Sequence, residues 1–277
     1  MLKARVFTAI ALLAVLIPGL FHFSQTGWAV LMALFIGVGA WEWGRLMRLG
    51  NASAYLLGAL FLLAALLFTF FMPSSIGAGG IGELPAWMIV VHGVSVAFWG
   101  GLVPVWLKRR FALPGGFLGV LAGLVVLFPT WFAVVQLRSA GPLVLLGILA
   151  IVWIADIAAY FSGKTFGRHK LAPAISPGKT WEGAAGAVVG VLIYGFAVKP
   201  AGSELEMNGL FWALALVGIT AVSIMGDLFE SMLKRQAGIK DSSHVLPGHG
   251  GVLDRIDSLT STLPLVAFFW LLLARGF

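Results

Sequence analysis

Apolar runs long enough to cross a lipid bilayer follow one another along nearly the whole chain of 277 residues, and nothing else in the sequence restricts the fold so strongly. A spanning helix takes about 20 apolar residues at a rise of roughly 1.5 Å each. Nine segments qualify: 6–22, 27–44, 53–72, 85–106, 115–137, 142–161, 183–198, 208–226 and 258–274. The first follows Lys3 and Arg5, but no small-residue cleavage pattern comes after Leu20, so it is expected to remain as a span. The seventh is short and rich in glycine. Because 60% of the residues are hydrophobic and only 10% are charged, a water-soluble globule is excluded. The chain has no cysteine, which excludes a disulfide scaffold. The expected fold class is all-α: a polytopic integral membrane protein of about nine transmembrane helices. Residues 1–137 would form an N-terminal region of about five helices, and 138–277 a C-terminal region with two long polar connections, 162–182 and 227–257.

A formal charge of +7 would raise nucleic acid as a partner for a soluble protein. Sorting the charges by side removes that reading. With the N-terminus in the cytoplasm, only Arg138, Lys199 and Arg275 of the 18 Lys and Arg fall outside, and the rest obey the positive-inside rule. The C-terminus then lies outside and no nucleic acid is expected. The expected location is a bacterial inner membrane, with the polar connections facing the cytoplasm. Function is expected in those connections, since loops held by rigid elements commonly carry it.

The stretch SMLKRQAGIKDSSHVLPGHGGVLDRID, Ser231 to Asp257, is the densest polar segment. If the eighth span continues as helix past the membrane surface, Asp227, Glu230, Ser231 and Lys234 share one face at i, i+3, i+4 and i+7. Beyond His249-Gly250-Gly251, Asp254 and Asp257 stand three apart just ahead of the ninth span. Carboxylates from two stretches can then converge at one membrane surface. Oxygen donors without cysteine suit a hard cation such as Mg²⁺, and the neighbouring Lys234, Arg235, Lys240 and Arg255 suit a polyphosphate. The blander alternative is a positive-inside loop whose acids only neutralise its bases. Asp156 sits in the apolar run LVLLGILAIVWIADIAAYF, where a carboxylate is costly and by default marks a site; Tyr160, one turn on, shares its face.

Other patterns carry less. Two Gly-Lys-Thr triplets lie between 163 and 180, but a P-loop would need glycine at 158 and 173, which are Ala158 and Pro173. What remains is a basic connection in which Lys164, Arg168, Lys170 and Lys179 could bind phosphate or the anionic leaflet. Gly77, Gly79 and Gly82 match a dinucleotide fingerprint by letter only, with no strand before them. Gly115, Gly119 and Gly123, and likewise Gly186 and Gly190, recur every four residues and favour close helix packing, either within the chain or in a homodimer. His92 is expected to be a hydrogen-bonded packing residue, and Glu42 to pair with Arg45 at i, i+3.

The segment from Ser231 to Asp257 resembles the signature of the phosphatidate cytidylyltransferases, also called CDP-diacylglycerol synthases. Ser231, Leu233, Lys234, Arg235, Lys240, Asp241, Pro247, His249, Gly250, Gly251, Asp254, Arg255, Ile256 and Asp257 fill that pattern without a gap. The resemblance extends upstream through Gly226-Asp227-Leu228, Asp156, Ala159, Tyr160, Gly163, Lys170 to Pro173, and Glu182-Gly183. It departs at Gly178, where the family has lysine.

The resemblance implies condensation of CTP with phosphatidic acid to CDP-diacylglycerol and pyrophosphate, dependent on a divalent cation. Mg²⁺ is the expected cofactor, as one ion or two. Asp227 and Asp254 are the leading candidate ligands, with Asp257 and Asp156 as further ligands or their supports. Lys234, Arg235, Lys240 and Arg255 would hold phosphate groups. Ser231, Asp241, His249, Gly250, Gly251, Lys164, Lys179 and Tyr160 complete the candidate substrate contacts. Two rivals are a CDP-alcohol phosphotransferase, which also joins membrane helices to a carboxylate-metal site, and an ion-coupled transporter, which would place its charges near the midplane.

Overall fold

The computed structural model describes residues 2–199 and 208–275. Its helices are α1 (Leu2–His22), α2 (Gln25–Leu46), α3 (Asn51–Phe71), α4 (Trp87–Arg109, with a π-helical turn at Phe98–Leu102), α5 (Gly116–Ser139), α6 (Pro142–Phe166), α7 (Trp181–Ala197), α8 (Gly209–Ala237) and α9 (Leu253–Ala274). Eight of these are long and apolar enough to cross a membrane, and α7 is a shorter apolar helix. Each lies over one of the nine apolar segments. Large apolar side chains such as Phe7, Tyr55, Phe71, Phe117, Leu143 and Phe211 point outward, as expected where lipid is the solvent.

Three helices overrun their apolar segments at one end. α6 continues to Phe166, α8 to Ala237, and α9 begins at Leu253. Propagation costs little once a helix exists, so polar residues ride on as extra turns. The fold is mostly helical, as expected, but the polar connection 162–182 holds the one small sheet among the described residues. Its central part is an antiparallel hairpin of β1 (Lys170–Ala172) and β2 (Ser176–Thr180), with Lys170 opposite Thr180 and Ala172 opposite Ser176. So short a pair has too few residues to show a period of two, and its apolar content is low. The Thr180 side chain ends β2 and starts α7 by accepting the Gly183 N–H at 3.1 Å.

The two ends of the bundle are built from different connections. At one end lie the start of α1, the ends of α2, α4, α6 and α8, the hairpin and the start of α9. Here Thr8 Oγ1 donates to Pro247 O at 2.8 Å, Arg45 Nη1 to Ser242 O at 2.8 Å and Gln236 Nε2 to Phe111 O at 2.8 Å. At the other end Gln25 Nε2 reaches Ile76 O and Val135 O at 2.7 Å, and Arg138 Nε donates to Leu20 O at 2.9 Å. This segregation matches the sides expected from the charges. The connection expected at 199–207 falls, apart from Lys199, outside the described residues.

Several of the spaced glycines serve close packing within the chain, although nothing lies within 4 Å of a Cβ at Gly115. A Cβ at Gly123 would stand 2.6 Å from Trp43 Nε1, and one at Gly186 2.3 Å from Ser162 Cβ, so these glycines let α5 approach α2 and α7 approach α6. His92 is buried and hydrogen-bonded to Gln136 at 2.8 Å, as expected. Pro264 in α9 lacks the N–H that would serve the Thr260 carbonyl, and Thr130 Oγ1 of α5 lies 3.2 Å from that oxygen.

Candidate active site

The overrun of α6 places Asp156, Tyr160 and Lys164 at i, i+4 and i+8, one face of one helix. That face, β2 and α8 enclose a cavity of about 480 Å³ lined by Asp156, Tyr160, Lys164, Gly178, Lys179 and Asp227 among others. Lys179 on β2 forms an ion pair with Asp227 Oδ2. Ser231, one turn further along α8, donates its hydroxyl to Asp227 Oδ1 at 3.2 Å. Asp156 stands within electrostatic range of Asp227, Lys179 and Arg255. The Lys164 ammonium lies over the Tyr160 ring, 5.7 Å from its centroid. Two carboxylates and two ammonium groups thus share one accessible hollow.

A second cluster lies deeper between α8 and α9. Lys234 Nζ donates to Glu230 Oε2 at 2.8 Å and to Asp254 Oδ1 at 2.5 Å. Asp254 Oδ2 accepts three further hydrogen bonds: from Ser242 N at 2.8 Å, Ser242 Oγ at 2.9 Å and Gly251 N at 2.8 Å. Asp257 lies within electrostatic range of Asp227 and Glu230, with Oδ1 accepting the Ser258 N–H at 2.7 Å. Gly226 permits this neighbourhood, because a Cβ there would come within 2.6 Å of Asp257 O.

The expected residues therefore divide. Asp156, Tyr160, Lys164, Lys179 and Asp227 meet at the cavity, with Ser231 behind Asp227. Asp254 does not line it; its oxygens face the loop and Lys234. The His249-Gly250-Gly251 turn does not aim all its N–H groups outward, since His249 N donates to Leu246 O at 2.8 Å and Gly251 N to Asp254. Arg235 lines a different cleft with Arg109 and Arg110, and Lys240 and Asp241 are exposed on the loop. Arg255, on α9, lies within electrostatic range of Asp156 without lining the cavity.

Glu42 was not expected in this assembly, and its pairing with Arg45 is not what the structure contains. Glu42 is fully buried on α2 and accepts four hydrogen bonds from the signature loop and the start of α9. Oε1 takes Ser243 Oγ at 2.5 Å and Val252 N at 2.9 Å; Oε2 takes Leu253 N at 2.7 Å and Ser242 Oγ at 3.2 Å. It caps α9 from another helix, satisfying N–H groups that a helix start leaves open. The signal was present in the sequence: a carboxylate inside an apolar span, the same feature that singled out Asp156.

Among the described residues, no group of three or more His, Asp or Glu is arranged to hold a metal ion. Mg²⁺ does not require such a cage, because it is commonly held by one or two carboxylates with substrate phosphates and water. Asp156 and Asp227 fit that description: both line the cavity with hard oxygen donors, and the Lys179 ammonium already lies against Asp227 where positive charge is favoured. Asp254 fits less well, since four hydrogen bonds already fill its two oxygens.

Polytopic apolar helices with a polar cavity of paired carboxylates and ammonium groups at one end are the mark of an integral membrane protein. The chain belongs to the cytidylyltransferase family, whose sequence profile matches residues 3–273. It is 39% identical to a phosphatidate cytidylyltransferase of Pseudomonas aeruginosa, over 96% of both chains. It is 35% identical to one of Haemophilus influenzae, over 98% of this chain and 99% of that one. Membership makes it a nucleotidyltransferase, in agreement with the resemblance read from the Ser231–Asp257 signature.

Proposed function

We propose that the chain transfers the cytidylyl group of CTP to phosphatidate, releasing pyrophosphate and leaving CDP-diacylglycerol in the membrane. The observation that carries this reading is the cavity in which Lys179 pairs with Asp227 beside Asp156, at the end of the bundle where most basic residues gather. A site there is reachable from water by a nucleotide and from the bilayer by a lipid. The positive-inside rule turns that end toward the cytoplasm of a bacterial cell, in its inner membrane.

The reaction is an in-line displacement. A phosphatidate oxygen attacks the α-phosphorus of CTP, the bond from that phosphorus to the bridging oxygen breaks, and pyrophosphate leaves with the electron pair. The lipid phosphate is already anionic, so no protein nucleophile is needed; the chain orients the partners and offsets charge. Lys179 and Lys164 bind the triphosphate, and Lys179 exchanges its Asp227 partner for phosphate as CTP enters. Asp156 and Asp227 would hold Mg²⁺, which supplies neutralisation of the triphosphate charge. Asp257, beside Asp227, is the support for any second ion. The Lys234–Glu230–Asp254 cluster and Glu42 hold the loop in place.

Purified protein in phosphatidate-containing vesicles, given CTP and Mg²⁺, is expected to release pyrophosphate and form CDP-diacylglycerol in equal amounts, and to stop when EDTA is added. Consumption of CDP-diacylglycerol with a free alcohol, or ion flux without nucleotide turnover, would overturn the reading.

A further inference from the structure

Besides the polar cavity, the molecule holds a partly open apolar groove of about 230 Å³ between α1 and the bundle. Its walls include Leu16 of α1, Ile36 of α2, Trp131 of α5, Leu149 and Trp153 of α6, and Leu259 of α9. One charged side chain lines it: Arg255, at its loop end. That guanidinium is exposed, makes no ion pair among the described residues, and lies within electrostatic range of Asp156 of the polar cavity. From Arg255 to Leu263, both on its lining, α9 rises about 12 Å at 1.5 Å per residue.

The groove is held open by ties at both ends of α1. At one end Thr8 Oγ1 bonds Pro247 O at 2.8 Å, joining α1 to the signature loop. At the other, Arg138 reaches back from α5 to the last turn of α1, Leu20 O at 2.9 Å and Gly19 O at 3.4 Å, and to Phe23 O just beyond it. A guanidinium there suits the negative end of the helix dipole. Between these ties α1 is the least buried of the long helices, so its middle stands off from α5 and α6.

We propose that this groove takes an acyl chain of phosphatidate and that Arg255 at its mouth binds the lipid phosphate, presenting it to the CTP cavity. The inference rests on the phosphatidate reading above and deepens it. An occupant must be apolar over most of its length and anionic at one end, where the single cation stands; a lipid with a phosphate headgroup matches both. Trp153 of the groove and Asp156 of the catalytic cavity are three residues apart on α6, so a headgroup at the groove's mouth lies close to where the attacking oxygen is needed. α1, which contributes nothing to the polar cavity, becomes a wall of the lipid subsite.

Two measurements test this. In the unaltered protein, a phosphatidate analogue with a photoreactive diazirine in its acyl chain should label α1 between Leu12 and Leu20 and α6 between Leu146 and Trp153. Excess phosphatidate should suppress the labelling, and excess phosphatidylcholine should not. Labelling elsewhere, or equal suppression by both lipids, overturns the proposal. Second, Leu16→Trp and Leu149→Trp should raise KM for dioleoyl phosphatidate by roughly tenfold, the scale of overpacking an apolar site, with KM for CTP and turnover of dihexanoyl phosphatidate unchanged. Arg255→Gln should raise KM for both lipids and leave that for CTP alone. Equal losses on long and short lipids in the Trp variants, or a rise confined to CTP in the Arg255 variant, overturn it. If the unaltered protein turns over neither lipid, the fault lies with the activity; if it turns over both and the Trp variants match it, the fault lies with the groove.

Discussion

Asp227 and Asp254 each face a lysine at the same end of the bundle, yet the two pairs are built in opposite ways. Asp254 receives Lys234, both donors of Ser242 and the Gly251 N–H, and Glu42 beside it is equally full. Asp227 meets Lys179 and the Ser231 hydroxyl at the wall of an open cavity. A buried carboxylate surrounded by fixed donors is stabilised and has little left to offer a ligand. One that faces a hollow through a flexible lysine can change partners. The contrast separates a carboxylate whose partners are fixed, and which holds the loop, from one that is free to exchange them, although both lie in the stretch that resembles the family.

The comparison can be broken most severely at Glu42. Glu42→Ala would strand two backbone N–H groups and two hydroxyls in the interior, at about 1–3 kcal/mol each. The expected outcome is a loss of roughly 4 kcal/mol or more of stability, read as a large fall in unfolding temperature in detergent with activity lost alongside; an unchanged temperature would remove this carboxylate from the loop's support. Asp227→Asn should act the other way, lowering kcat by about 10³-fold while the unfolding temperature holds. If it lowers the temperature as far as the Glu42 variant does, the two clusters are alike and the distinction fails.

Smaller effects sharpen the picture. Lys179→Gln removes the charge that pairs with Asp227 and should raise KM for CTP about 10–100-fold, the scale of one charge-assisted hydrogen bond, with KM for phosphatidate nearly unchanged. The smallest change is expected from Gly178→Lys, where nothing lies within 4 Å of a Cβ. Restoring the family's usual lysine there should lower KM for CTP by less than about threefold without altering stability, since an open surface position tolerates substitution. A marked loss of activity would mean that the hairpin closes more tightly than its open side suggests.

Much of the architecture was legible in the chain. Each of the nine apolar segments became a helix, and the connections sorted by charge gathered at opposite ends. The shared face of Asp227, Glu230, Ser231 and Lys234 was readable only on the condition that the eighth span continues as helix, which the extension of α8 to Ala237 meets. The hairpin was not, because strands of three and five residues carry no detectable period. The role of Glu42 was not either. Its spacing from Arg45 suggested a local pair, whereas its partners Ser242 and Leu253 lie 200 and 211 residues away.

Residue order alone determined which stretches must lie in lipid, which side carries the positive charge, and which signature the C-terminal half bears. Those properties depend on apolar length, charge sign and residue identity along a single stretch. Tertiary structure decided that Asp156 rather than Asp254 joins Asp227 at the cavity, that Glu42 caps α9 from α2, and that α1 encloses a groove ending at Arg255. Whether a carboxylate's lone pairs are filled depends on donors folded in from remote positions, and no local pattern encodes them.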